Sequence, residues 1–311
     1  MRSSTPGPEL AALQAAHEAR LAEVDPLVRV SELPEGRALL DDGVGAVATT
    51  TTTDSLWVAR RSHALHVRAA APGDAAWGRV LDDWLAELAD DPAASDDETA
   101  ASVTLASRDT ELVAPLVHRH FGPASVLALR TLDRPDPPQW RTPPDGVVVR
   151  TAGEADVPWL LERTLDLHRW ETRFGSVPER PDARASLAPE LAEALARDEG
   201  WTWVAEVDGV PLAFCQVNPP EPASWATGAT WLAPAGYLVG AYVDPAHRSA
   251  GLGRVLAATA HARAVDEGWA ALLLHHAGVS PWSAPFWASA GYRPLLTTWQ
   301  RRPALRPRGE G

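Results

Sequence analysis

Residues 236–267, "GYLVGAYVDPAHRSAGLGRVLAATAHARAVDE", constrain the fold more than any other stretch of the chain. An apolar run of strand character (236–243) is followed by a turn holding Gly251 and Gly253. A helix with amphipathic spacing (251–267) comes next and stops at Gly268. Glycines two apart at a strand-to-helix junction leave bare backbone N–H groups at the positive end of a helix, a ready anion site. A phosphate loop would read G-x-x-x-x-G-K-[ST] and a dinucleotide turn G-x-G-x-x-G. Neither pattern fits, and Arg254 follows the second glycine. The turn is therefore read as an anion cradle built from backbone, with its ligand still to be found.

The chain has 311 residues, room for two ordinary domains. Its 45% hydrophobic and 22% charged content is that of a globular protein. A net charge of −13 argues against general binding to nucleic acid or an anionic membrane. Every basic residue is Arg, a bias that suits a GC-rich genome better than a functional device. The single Cys215 excludes an internal disulfide framework and suits a reducing, cytoplasmic setting. No stretch approaches the roughly 20 apolar residues needed to span a membrane. The first 24 residues lack the apolar core of a signal peptide.

"LDRPDPPQWRTPPDG" (132–146) holds five prolines and reads as an extended linker. The expected division is an N-terminal domain over 1–135, the linker over 136–145, a second domain over 146–304 and a disordered tail over 305–311. Beyond the linker the pattern predicts a strand at 146–151, helices at 154–171 and 183–200, and a hairpin over 201–217 turning at Asp208-Gly209. Strands at 236–243 and 270–276, a helix near 281–290 and a last strand from 294 complete the order β-α-α-β-β-β-α-β-α-β. The first half predicts helices at 8–24, 74–90 and 110–122. Strand-like pieces lie at 43–49, 56–60, 64–70, 101–107 and 125–132. Its last four elements repeat the order of the second half's last four, which suggests a degenerate internal duplication.

Arg248-Ser249-Ala250-Gly251-Leu252-Gly253, after a strand ending Tyr-Val-Asp-Pro and before a helix, resembles the R-x-x-G-x-G acyl-CoA turn of the GCN5-related N-acetyltransferases (GNAT). "PFWASAGYRPL" (285–295) stands where that family has a Phe-Tyr helix ending in Gly-Phe. The resemblance covers roughly 147–302. It implies an α/β (α+β) fold with a mostly antiparallel twisted sheet, a splayed parallel pair and flanking helices, in two domains. It also implies acetyl-CoA as cosubstrate, while histidines and a Cys scattered without ligand spacing argue against a metal. Coenzyme A presents a pyrophosphate, and a helix N-terminus presents unpaired N–H groups that glycines leave approachable. The backbone of Ser249, Ala250, Gly251, Leu252, Gly253 and Arg254 is the expected cradle, with Arg248 and Arg254 as charge partners. By the resemblance, the backbone of Ala241, Tyr242 and Val243 holds the pantetheine arm.

Acetyl transfer to an amine needs a base for the amine's proton and a proton for the departing thiolate. Where the family often has an acidic Tyr, this chain has Trp287, whose indole N–H has no useful acidity. Trp287 is expected to pack against the cofactor. Ser280 replaces the Asn that commonly opens the motif. Tyr292 and Ser283 are the stand-ins for the acid. For the base, His275 occupies the position of a Glu found in relatives that acetylate protein α-amines. His276, on the opposite strand face, Glu171 and Glu206 are alternatives.

Loops 168–180 and 218–235, with Trp170, Trp225 and Trp231 in or beside them, are expected to set acceptor specificity. The first half lacks an R-x-x-G-x-G turn and is expected to bind no CoA but to shape the acceptor cleft or bury a shared face. The expected activity is acyl-CoA-dependent N-acyl transfer, most simply of acetyl, to a primary amine of a small molecule or peptide, by a monomer or homodimer. The alternative is an acyl-CoA-binding sensor or interaction module with impaired catalysis.

Overall fold

The computed structural model describes residues 8–197 and 200–305; the expected tail lies outside them except for Leu305. The first half runs α1 (Pro8–Val24), β1 (Arg37–Asp41), β2 (Val44–Thr52), β3 (Arg61–Ala69), α2 (Asp74–Leu88), β4 (Thr99–Ala106), α3 (Val113–His118) and β5 (Gly122–Thr131). A short helix, α4 (Pro138–Arg141), leads to β6 (Val147–Thr151), α5 (Val157–Thr172), α6 (Ala183–Ala196), β7 (Thr202–Val207) and β8 (Val210–Asn218). Then follow α7 (Ser224–Thr227), β9 (Ala235–Val243), α8 (Leu252–Asp266), β10 (Ala271–Ala277), α9 (Ser283–Ser289) and β11 (Arg293–Arg301). The second half thus has the element order its periodicity predicts, with α7 added inside the 218–235 loop.

The described strands join in one mixed sheet of eleven, in the order β1-β2-β3-β4-β11-β5-β10-β9-β8-β7-β6. Neighbours are antiparallel except at two joints, β3 with β4 and β9 with β10. This is the mixed, mostly antiparallel sheet with flanking helices that the resemblance implies. At its centre each half lends its last strand to the other. β11 lies between β4 and β5, and β5 lies between β11 and β10.

Local chemistry accounts for the elements around the second parallel joint. Asp208 and Gly209 both take positive φ (50° and 75°), as the two-residue turn between β7 and β8 requires. β10 reads Ala-Leu-Leu-Leu because both of its faces are covered. Leu272 and Leu274 pack with Leu252 and Leu256 of α8, while Ala271 and Leu273 pack with Ala226 and Tyr237. Burying each leucine contributes about 1.5–3 kcal/mol. On the Ala271 side, α5 turns Leu160, Leu161 and Leu165 onto Val204, Phe214 and Tyr242.

Three expectations change. Residues 56–60 form no strand: the carbonyls of Ser55 and Val58 accept from the Arg180 guanidinium and that of Leu56 is bonded to His168, so loop contacts replace a ladder. The helix expected over 110–122 is a 3₁₀ turn at Thr110–Leu112 plus α3, closed where His120 takes a φ of 65°. Edge strand β1 was not anticipated; mostly exposed, it lacks a clear alternation. Within 132–146, Trp140 is buried on α8's core, and Asp136 is buried between Arg130 and His261.

Candidate active site

The turn after β9 is shaped by two left-handed residues, Ser249 (φ 68°) and Gly251 (φ 89°), the latter capping α8. Among the described residues, the N–H groups of Ser249, Gly251, Leu252 and Gly253 find no backbone acceptor. At Gly253 a side chain has little room: an added Cβ would lie 3.3 Å from the Phe286 ring and 3.4 Å from Val243. The cradle is therefore a row of open donors at a helix N-terminus, with walls too close for a larger residue.

These donors open onto a cavity of about 870 Å³ that runs from α5 across the ends of β8 and β9 to α9. Ala241, Tyr242, Val243, Arg248, Ser249, Gly251, Leu252, Gly253, Arg254, Ser283 and Trp287, all expected from sequence, line it. Ala250 does not. Arg163, Arg169 and Arg173 of the α5 side join Arg248 and Arg254 in the lining, against Asp166 and Asp244. Asp166 serves both Arg163 (3.3 Å) and Arg169 (2.9 Å). Arg248, Arg254 and Arg173 instead lie over the rings of Trp282, Trp140 and Trp170, at 5.0, 5.4 and 5.3 Å. Guanidinium groups held this way keep their N–H donors for a ligand. A cationic cavity in a chain of net charge −13 is a local departure that favours a polyanion.

Beside the cavity, β9 and β10 part. Their ladder ends with Leu274 opposite Leu238. On the far side of β10, Gly278 donates to the Ala124 carbonyl (2.9 Å) in the antiparallel pairing with β5. Alternate residues therefore turn toward β5, and His275 and Ala277 turn their N–H groups into the opening beside β9. The Glu171 carboxyl group, from the last turn of α5, faces the Ala277 N–H there. Burial raises its pKa to about 7, and the Ala277 bond only partly opposes the shift. A carboxyl group poised between its two protonation states at neutral pH thus stands at the mouth of the opening.

His275 is next to it, two residues back on the same face of β10. The Tyr237 hydroxyl lies 2.9 Å from His275 Nδ1 and faces the His275 backbone N–H. When the hydroxyl donates to Nδ1, the neutral ring carries its proton on Nε2. Although the residue is exposed, desolvation by the protein packed around the ring, and then the neighbouring His276, lower its pKa to about 4. His275 is thus neutral at pH 7 and a poorer base than its ordinary pKa suggests.

The other candidates lie elsewhere. His276 Nδ1 contacts the Ala277 carbonyl (2.9 Å). Glu206 is paired with Arg150 (2.8 Å) on β7. Tyr292 is buried with its hydroxyl 3.1 Å from His261 Nε2, and His261 Nδ1 lies 2.9 Å from Asp136. Burial drives the Tyr292 pKa up, and its ring backs Trp287 at 5.2 Å without reaching the cavity. Ser280 Oγ accepts from the Ser283 N–H (3.2 Å) and so caps α9. Cys215 lines the cavity, but burial pushes its thiol up to about 12. Sequence reading missed Tyr237 and the α5 arginines. Tyr237 looks like one more apolar strand residue, whereas Arg163, Asp166, Arg169 and Arg173 recur at three- and four-residue spacing on α5. Among the described residues no cluster suits a metal ion, and no helix is long and apolar enough to cross a membrane.

Comparison with known proteins agrees with this fold. The sequence model of the Acetyltransferase (GNAT) family matches residues 163–292. A GCN5-related N-acetyltransferase from Sphaerobacter thermophilus has a similar fold, with TM-score 0.54 and 15% identity over 85% of this chain and 78% of that one. A conserved protein of unknown function from Staphylococcus epidermidis superposes with TM-score 0.51 and 11% identity, over 86% of this chain and 94% of that one. No curated protein matches the sequence.

Proposed function

Since residues 163–292 match the sequence model of the Acetyltransferase (GNAT) family, which uses acetyl-CoA, we infer that the chain is an acyl-CoA-dependent N-acyltransferase that acetylates a primary amine, with Glu171 as its base. The carrying observation is the Glu171 carboxyl group, held in the opening between β9 and β10 with its pKa raised to about 7. A general base works best when its pKa lies near the working pH.

The open N–H groups of Ser249, Gly251, Leu252 and Gly253, with Arg248 and Arg254, suit a pyrophosphate. The end of β9 suits an amide-bearing arm. Glu171 takes a proton from the incoming ammonium group and frees the nitrogen lone pair. The nitrogen bonds to the thioester carbonyl carbon, the carbon–sulfur bond breaks, and the thiolate receives the second proton shed by nitrogen. No tyrosine stands at position 287, so this reading routes that proton through nitrogen rather than a side-chain acid.

The first half is read as a brace for α5 and not as a second cofactor site. Ala69 ends β3, whose parallel joint with β4 corresponds to that of β9 with β10. Its backbone is already taken: the carbonyl accepts from Arg20 (3.1 Å) and the N–H donates to His17 (3.3 Å). The loop 53–60 meanwhile reaches over to α5, where Leu56 contacts His168, one turn before Glu171.

Glu171→Gln tests the reading. Thiol release from acetyl-CoA over an amine panel should fall by about 10²–10⁴-fold with coenzyme A affinity retained. An unchanged rate would remove Glu171 from the base role. A second reading, a coenzyme A-binding module without turnover, draws on Trp287 in place of the tyrosine; firm binding with no thiol release on any amine would favour it.

A further inference from the structure

Trp225 is fixed on two sides and open on a third. Its ring lies parallel to that of His275 (5°, centroids 5.9 Å apart) and meets the Tyr237 ring at 4.8 Å and 60°. Even so, 66% of its surface is exposed. A large apolar side chain on the four-residue helix α7 is thereby presented to solvent as a rigid plate. Its position is set by the candidate active site. His275, on which it stacks, is two strand residues, roughly 7 Å, from the Ala277 N–H that Glu171 faces.

We propose that Trp225 is the acceptor subsite, and that the acceptor is a small aromatic amine whose ring stacks on Trp225 with its alkylamino arm turned toward the opening that Glu171 faces. The proposal rests on the acyltransferase reading above and names its substrate class. Aromatic rings gain from offset stacking beyond their buried area, and a plate already held by Tyr237 and His275 loses little freedom on binding. His275 is neutral, so nothing under the plate repels an ammonium-bearing ligand. A polyamine suits the place less well, because Arg169 and Arg173 flank Glu171 in sequence and line the adjoining cavity.

The test uses the full chain, saturated with coenzyme A, and measures binding of tryptamine, n-butylamine and spermidine by calorimetry; thiol release from acetyl-CoA is followed separately. Tryptamine should bind at least about tenfold more tightly than n-butylamine. Trp225→Ala should erase that preference and Trp225→Phe should keep most of it. Melting temperature and coenzyme A affinity should hold in both variants, since the side chain is exposed. No aromatic preference in the unmodified protein, a preference for spermidine, or a preference that survives Trp225→Ala overturns the proposal. The acyltransferase reading fails separately. Tight, Trp225-dependent tryptamine binding without thiol release would sink that reading and leave the subsite standing. Turnover of all three amines with no aromatic preference would do the reverse.

Discussion

The Glu171 carboxylate and the Ala277 N–H meet across the opening between β9 and β10, joining the last turn of α5 to the end of a central strand. Among the described residues, the contact places the one carboxyl group with a strongly raised pKa where two parallel strands cease to pair. Its pH behaviour should therefore appear in both stability and rate.

Folding raises the Glu171 pKa from 4.5 to about 7, so the folded chain holds a proton that the unfolded chain releases in this window. Stability attributable to this group is full below about pH 4.5 and falls as pH rises toward 7. Glu171→Gln should remove that fall. The variant should be more stable than the parent at pH 8, by about 2–3 kcal/mol, and gain nothing at pH 4.5. Thermal melts across pH 4–9 check this, and equal curves for the two proteins would refute it. The acidic limb of the parent's kcat/KM profile should bend near pH 7 and be absent in the variant.

His275 should titrate well below its ordinary range, with its neutral ring protonated on Nε2. Heteronuclear NMR of the imidazole nitrogens from pH 3 to pH 8 reads both properties directly. Tyr237→Phe should mix the two tautomers, because the donor to Nδ1 is gone. A midpoint near 6.5 would return His275 to the base role.

Gly253→Val should lower coenzyme A affinity by at least tenfold, since its side chain would press on Phe286 and Val243 beside the open N–H groups. Gly251→Ala should cost about 1–2 kcal/mol of stability through its left-handed backbone. Calorimetry with coenzyme A and a thermal melt separate the two effects. Full affinity in Gly253→Val would mean the anion site lies elsewhere.

Asp136→Ala should cost about 3–5 kcal/mol, because it leaves Arg130 and His261 without their buried carboxylate. Burial alone would raise the Asp136 pKa, but the hydrogen bond and charge of His261, with Arg130, overcome it and hold the pKa below the usual range. This contribution is present above the unfolded carboxylate range and is lost as pH falls through the lowered folded value. Denaturant melts at pH 7 and pH 3 should therefore show a larger gap between parent and variant at the higher pH.

The elements around the site were legible because each is written in local periodicity: the Asp208-Gly209 turn, the two-sided apolar run of β10, the glycine turn before α8. Residues 56–60 misled because Leu56 is apolar for a different reason, its burial against α5. The exchange of β5 and β11 has no local signature, since strand partners are chosen by distant residues. Glu171 could be named as one acid among several, but only the ends of the β9–β10 and β10–β5 ladders show which N–H group it meets. Tyr237 escaped notice because its hydroxyl acquires a purpose only once His275 is beside it.

The exchanged central strands also bear on how the chain is made. β4 and β5 leave the ribosome with an unfilled slot between them, and the strand that fills it, β11, is about 160 residues further along. Until it arrives, the nascent sheet carries two raw apolar edges of the kind that attract foreign strands. Contacts this far apart in sequence also slow productive folding. Overproduction of the first half alone should therefore give insoluble material, and supplying the missing partner strand within the same polypeptide is what restores a closed centre to the sheet.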